Sequence, residues 1–131
     1  MPPLRVFFAD DSAHEREQVT SVFRDFLPEA EVVTAATIEE AIIRVRALIS
    51  QGLDAAILDL EFCETASSSS IYAFILSADP TFAQARVAVR TNASEEVART
   101  EYDEHGVPFP PKFLNKGVLF DMLKWVKELQ S

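Results

Sequence analysis

Two rhythms of apolar residues alternate along this chain. Short apolar runs at Leu4–Ala9, Glu31–Ala35, Ala55–Leu60 and Arg86–Arg90 read as strands, and the continuous Ala55–Leu60 run as one buried on both faces, as a parallel sheet requires. Between them the spacing changes to that of helices. Ser12 opens the first, with Glu15 three residues on completing a capping box. Val19, Val22, Phe23, Phe26 and Leu27 then share one face until Pro28 stops the helix. Thr37 and Glu40 open the second in the same way. Its face is Ile38, Ala41, Ile42, Val45, Leu48 and Ile49, and Gly52 stands where a C-terminal cap belongs. A third helix is expected around Ser70–Ala78, stopped by Asp79-Pro80. Ser94 caps a fourth that Gly106 ends, and a fifth covers Val118–Leu129 with Leu119, Leu123 and Val126 inward. Val107–Asn115 holds Pro108, Pro110 and Pro111, so any strand there is short and at a sheet edge. Strand and helix thus alternate five times. The pattern predicts an α/β fold with a five-stranded parallel sheet and helices on both faces, one domain over residues 1–131.

Two segments break the rhythm. Glu61–Ser70, with serine at 67–70, reads as a solvated loop, and the helix after Ser94 carries Glu95, Glu96, Glu101, Asp103 and Glu104 as a solvated face. Trp125 reads as a core anchor, whereas His14 and His105 read as surface residues. Acidic side chains outnumber basic ones by 21 to 12, a net charge of −9, so no Lys/Arg stripe is available for nucleic acid or an anionic membrane. Cys63 is the sole cysteine; with neither histidine near it in sequence, it reads as a packing residue in a reducing, cytoplasmic protein. No apolar run approaches membrane-spanning length.

The chemistry concentrates where strands end. Asp10-Asp11, Asp59, Thr91 and Lys116 each follow or close an apolar run. In a parallel sheet these ends share one edge, where ligands of open α/β folds bind. Three carboxylates together repel, and one takes up a proton unless a cation intervenes. Hard oxygen donors with room for water suit Mg²⁺. A carboxylate beside it can accept a phosphoryl group as an acyl phosphate, while a hydroxyl and an ammonium bind the transferring oxygens. Taken singly the signals are ordinary: acidic residues favoured at a helix start, a turn aspartate, a strand-end threonine, a solvated lysine.

Taken together, Phe8-Ala9-Asp10-Asp11, Ile57-Leu58-Asp59-Leu60, Val89-Arg90-Thr91 and Phe113-Leu114-Asn115-Lys116 resemble the motifs of the receiver domain of two-component response regulators, in order and over essentially the whole chain. The resemblance implies a doubly wound, flavodoxin-like sheet of order 2-1-3-4-5. It implies phosphorylation of Asp59 by a sensor histidine kinase or phosphotransfer protein, and Mg²⁺ held by Asp10, Asp11, Asp59 and the backbone carbonyl of Glu61. Thr91 and Lys116 would bind the phosphoryl group. Phe113 would be the aromatic switch, with output through protein contact on its face. A receiver is a switch rather than an enzyme with turnover.

The chain departs from the family pattern in places. Gly117 stands where proline follows the lysine, Asn92 where a small residue follows the threonine, and Phe62-Cys63-Glu64-Thr65-Ala66 where the loop carries proline and glycine. These departures motivate an alternative, a phosphorylation-independent interaction module on the same fold. A third reading, a haloacid-dehalogenase-like phosphohydrolase using Asp59-Leu60-Glu61, fits poorly because that motif belongs on a first strand. Lys112 rivals Lys116, but Pro111 and the intervening Phe-Leu favour Lys116 at the strand end.

Overall fold

The computed structural model describes residues 4–62 and 66–130. Five parallel strands form the main sheet: β1 (Leu4–Ala9), β2 (Ala30–Ala35), β3 (Ala55–Asp59), β6 (Val87–Thr91) and β7 (Lys112–Asn115). Their spatial order is β2-β1-β3-β6-β7, which is 2-1-3-4-5 when only these five are numbered. The expected order and class hold.

Period-two alternation builds both cores at once. Val6 and Phe8 of β1, Ala55 and Ile57 of β3 and Ala88 of β6 point to one face. There they meet α1 (Ala13–Phe26) and α6 (Leu119–Leu129) through Val19, Phe23, Met122, Leu123, Trp125 and Val126. Phe7, Ala9, Ala56, Leu58, Val87 and Val89 point the other way. They pack on α2 (Ile38–Gln51), α3 (Ser69–Ala78), the single turn α4 (Pro80–Ala83) and α5 (Glu95–Glu104). Fully burying each large apolar side chain is worth about 1.5–3 kcal/mol, so both faces must be covered. Gly52 takes φ +102° at the end of α2, as the expected cap requires. Trp125 is buried, as expected of a core anchor.

Several expectations change. The segment after Asp59, expected as a solvated loop, instead contains two short strands: Glu61–Phe62 (β4) pairs antiparallel with Ala66–Ser67 (β5), and Phe62 is buried. Ser67, Ser68 and Ser69 are buried as well. Ser67 Oγ accepts from the Ser69 amide, and Ser68 Oγ bonds Tyr102 Oη at 2.7 Å. Cys63 lies outside the described residues. Both capping boxes close differently from expectation. Ser12 Oγ accepts from the Glu15 amide at 3.3 Å, but the Ser12 amide turns to Asp10 Oδ1 at 2.9 Å. Thr37 Oγ1 accepts from the Glu40 amide, while the Glu40 carboxylate reaches back to the Ala36 amide at 2.9 Å. Phe26, expected inward, is 53% exposed and stacks edge-on against Phe120 at 5.1 Å. Asp79-Pro80 does stop α3, but Asp79 Oδ1 then caps α4, a turn the sequence pattern left unmarked.

Candidate functional site

Because the strands run parallel, their C-terminal ends converge on one edge, and register decides which residues face each other there. Ala9 is level with Leu58, Asp59 with Arg90, and Thr91 with Asn115. Backbone bonding continues past the strands: the Asp10 amide donates to Ala35 O and the Lys116 amide to Thr91 O, both at 3.0 Å. The carboxylates of β1 and β3 and the lysine after β7 therefore meet.

Lys116 Nζ lies 3.0 Å from Asp59 Oδ1 and 3.2 Å from Asp10 Oδ2. Lys112, the rival, lies instead beside Asp121, Lys124, Trp125 and Glu128, apart from the carboxylates. Asp10, Asp11 and Asp59 each offer an oxygen within 4.8 Å of the others. Asp10 is completely buried and Asp59 nearly so, whereas Asp11 is exposed at the rim. Arg16 Nη1 donates to Asp10 O at 2.8 Å and holds the turn that carries both aspartates. Thr91 closes β6, its Oγ1 accepting from the Ala93 amide at 3.1 Å and keeping its own proton for donation. A cavity of about 330 Å³ opens between Asp11, Asp59, Glu61, Thr91, Asn92, Ala93 and Lys116. Asn92 is exposed on its wall and leaves it open. A cleft of about 390 Å³ between Phe26 and Phe120 contains none of the carboxylates.

The electrostatics follow from this crowding. Burial and the Asp10 charge, with a smaller push from Asp11, drive Asp59 up from 3.8 to about 7 against the pull of Lys116. For Lys116, burial alone works against its charge. Hydrogen bonding to Asp59 and the charges of Asp59 and Asp10 outweigh it and hold the ammonium above the ordinary lysine value. The acidic trio thus carries more negative charge than one lysine neutralises.

No protein-family model matches the chain, and no curated protein matches it in sequence. Solved structures do match. A response regulator receiver domain protein from Clostridium thermocellum superposes with a TM-score of 0.73 at 18% identity, covering 96% of this chain and 93% of that one. The fold is the receiver fold. A CheY-like receiver from Methanospirillum hungatei gives 0.71 at 17% identity over 98% and 94%, and chemotaxis protein CheY4 of Vibrio cholerae 0.72 at 20% over 97% and 98%. Within this receiver fold, the acidic pocket of Asp10, Asp11 and Asp59 sits at the carboxyl edge of the sheet. No described helix is long and apolar enough to cross a membrane.

Sequence reasoning gave Arg90 and Arg16 no role at the site and read Glu15 only as a capping residue. The signal for Arg90 was present: a cation inside Val-Ala-Val-Arg-Thr, a strand otherwise buried on both faces.

Proposed function

We propose that the chain is a phosphoacceptor switch of a two-component system, a receiver acting in the cytoplasm. One observation carries the reading. A lysine ammonium bridges two buried aspartates at 3.0 and 3.2 Å, beside a cavity that a third carboxylate and a threonine hydroxyl also line. A solvated lysine would gain nothing from that placement.

Asp59 is the nucleophile. One of its oxygens bonds to phosphorus as the P–N bond of a phosphohistidine breaks, leaving an acyl phosphate. Lys116 and Thr91 receive the phosphoryl oxygens. The donor set fits Mg²⁺: three hard oxygens lie together, and Asp10 Oδ2 is buried and unpartnered apart from its ion pair. Asp10, Asp11, Asp59 and the Glu61 carbonyl would hold the ion. Its divalent charge would offset both the carboxylates and the incoming phosphoryl oxygens.

The donor is a sensor histidine kinase or phosphotransfer protein. Output passes by protein contact through the face around Phe113, which is half-buried on the edge strand. Incubation with Mg²⁺ and a small phosphodonor, followed by intact-mass measurement, tests the reading. One PO₃ adduct is expected on the wild type and none on Asp59→Asn. An unmodified wild type would leave the interaction module as the function.

A further inference from the structure

Arg90 is 1% exposed, among the largest side chains to be wholly buried in this chain. It precedes Thr91 on β6 and its side chain enters the α1/α6 layer, its guanidinium 5.7 Å over the Phe8 ring. Nη1 and Nη2 reach Glu15 Oε2 at 3.4 and 3.5 Å, and Nη2 also reaches the Lys116 carbonyl at 3.5 Å. Nε has no partner. These are long contacts for a buried cation, and apolar side chains of similar volume in place of a whole buried ion pair are often as stabilising or more so. Stability alone is a poor account of this residue.

Its contacts suggest another. The Lys116 peptide is held at both ends, its amide by Thr91 O at 3.0 Å and its carbonyl by Arg90. Glu15, in the first turn of α1, ties the same guanidinium to the helix that starts directly after Asp10-Asp11. With both peptide groups anchored, the lysine side chain leaves the backbone in one direction, toward Asp10 and Asp59. We infer that Arg90 is a positioning residue: it fixes the backbone of Lys116 from beneath so that the ammonium spans both aspartates. As a statement about the reaction, this rests on the phosphoacceptor reading above.

The test uses Arg90→Met, Arg90→Lys, Lys116→Met and the Arg90→Met/Lys116→Met pair in the full chain. The first measurement needs no phosphate. With ¹⁵N-lysine labelling, the wild type has only four possible ammonium signals, from Lys112, Lys116, Lys124 and Lys127, and Arg90→Lys adds a fifth, identified by its persistence when Lys116→Met is combined with it. The Lys116 signal, assigned by its loss in Lys116→Met, is expected to be sheltered from solvent exchange in the wild type. It should broaden or vanish in Arg90→Met and return in part in Arg90→Lys. An unchanged signal in Arg90→Met overturns the proposal. Should Arg90→Met fail to fold, the decision passes to Arg90→Lys, whose shorter ammonium cannot reach both Glu15 and the Lys116 carbonyl; an unshifted Lys116 signal there overturns it equally.

The second measurement is the rate of PO₃ uptake from a small phosphodonor. Arg90→Met should be slower by about tenfold. In the Lys116→Met background the same change should add little, because the residue it acts through is gone. An equal loss in both backgrounds overturns the positioning role. If the wild type takes up no phosphate, the switch reading fails by itself, and the ammonium signal still decides whether Arg90 places Lys116.

Discussion

Replacing Asp59 by asparagine should stabilise the protein when no divalent cation is present, and the gain should grow with pH. The folded carboxyl is raised from 3.8 to about 7, so the native state binds a proton more tightly than the unfolded chain does. Stability from that proton is complete below the unfolded value and is lost as pH rises through about 7. Between about pH 5 and pH 8 the unfolded carboxylate is ionised throughout, while the folded one ionises only near the upper end. About two pH units at 1.36 kcal/mol each give a loss of about 2–3 kcal/mol for the wild type. The amide of the Asp59→Asn variant has no proton to lose in this range and keeps an oxygen for Lys116. Urea unfolding followed by Trp125, the single tryptophan and a buried one, reports the difference at both pH values in chelator. Subtracting wild type from variant cancels every titration that does not interact with this group, and excess Mg²⁺ should close the gap by stabilising the wild type. A difference that stays constant from pH 5 to 8 would refute the argument, since the carboxylate would then sit no less comfortably inside the fold than outside it.

Other substitutions test separate parts of the structure. Lys116→Met removes the ion pairs that pull Asp59 down, so its carboxyl should move further up, readable as a shifted ¹³C titration, and PO₃ uptake should slow. Asp11→Ala, at the exposed rim, should weaken Mg²⁺ binding with stability in chelator unchanged or improved, as followed by calorimetry and urea unfolding. Tyr102→Phe strands the buried Ser68 hydroxyl and should cost about 1–3 kcal/mol, with Ser68→Ala added to it recovering part of the loss. Gly52→Ala forces a side chain to φ +102° and should cost about 1 kcal/mol or more in the same assay.

The parts legible in the sequence are those governed by local pattern. Alternating rhythms located the five main strands, and a carboxylate at the end of Ala55–Leu58 placed Asp59 at the sheet edge. Convergence of Asp10, Asp59 and Lys116 followed once the strands were taken as parallel. What escaped was set by partners distant in sequence. The serines at 67–69 read as solvent-facing because nothing local announces Tyr102, thirty-four residues beyond Ser68. Phe26 obeys the helical period of α1, yet α6 ends its coverage where Phe120 meets it. The Glu15 carboxylate fits a capping box until Arg90, seventy-five residues away, attracts it.

The lysine of the site is attached to the outermost strand of the sheet. Only four register pairs, Ala88 with Lys112 through Thr91 with Asn115, fasten β7, and its far side has no neighbouring strand among the described residues. Transient fraying of that border therefore disconnects the ammonium from Asp10 and Asp59 while leaving every acidic group in place. Deuterium uptake at the Lys116 amide, whose proton goes to Thr91 O, reports how readily that border opens. A protein that binds along this border would silence or sharpen the chemistry without ever touching a carboxylate.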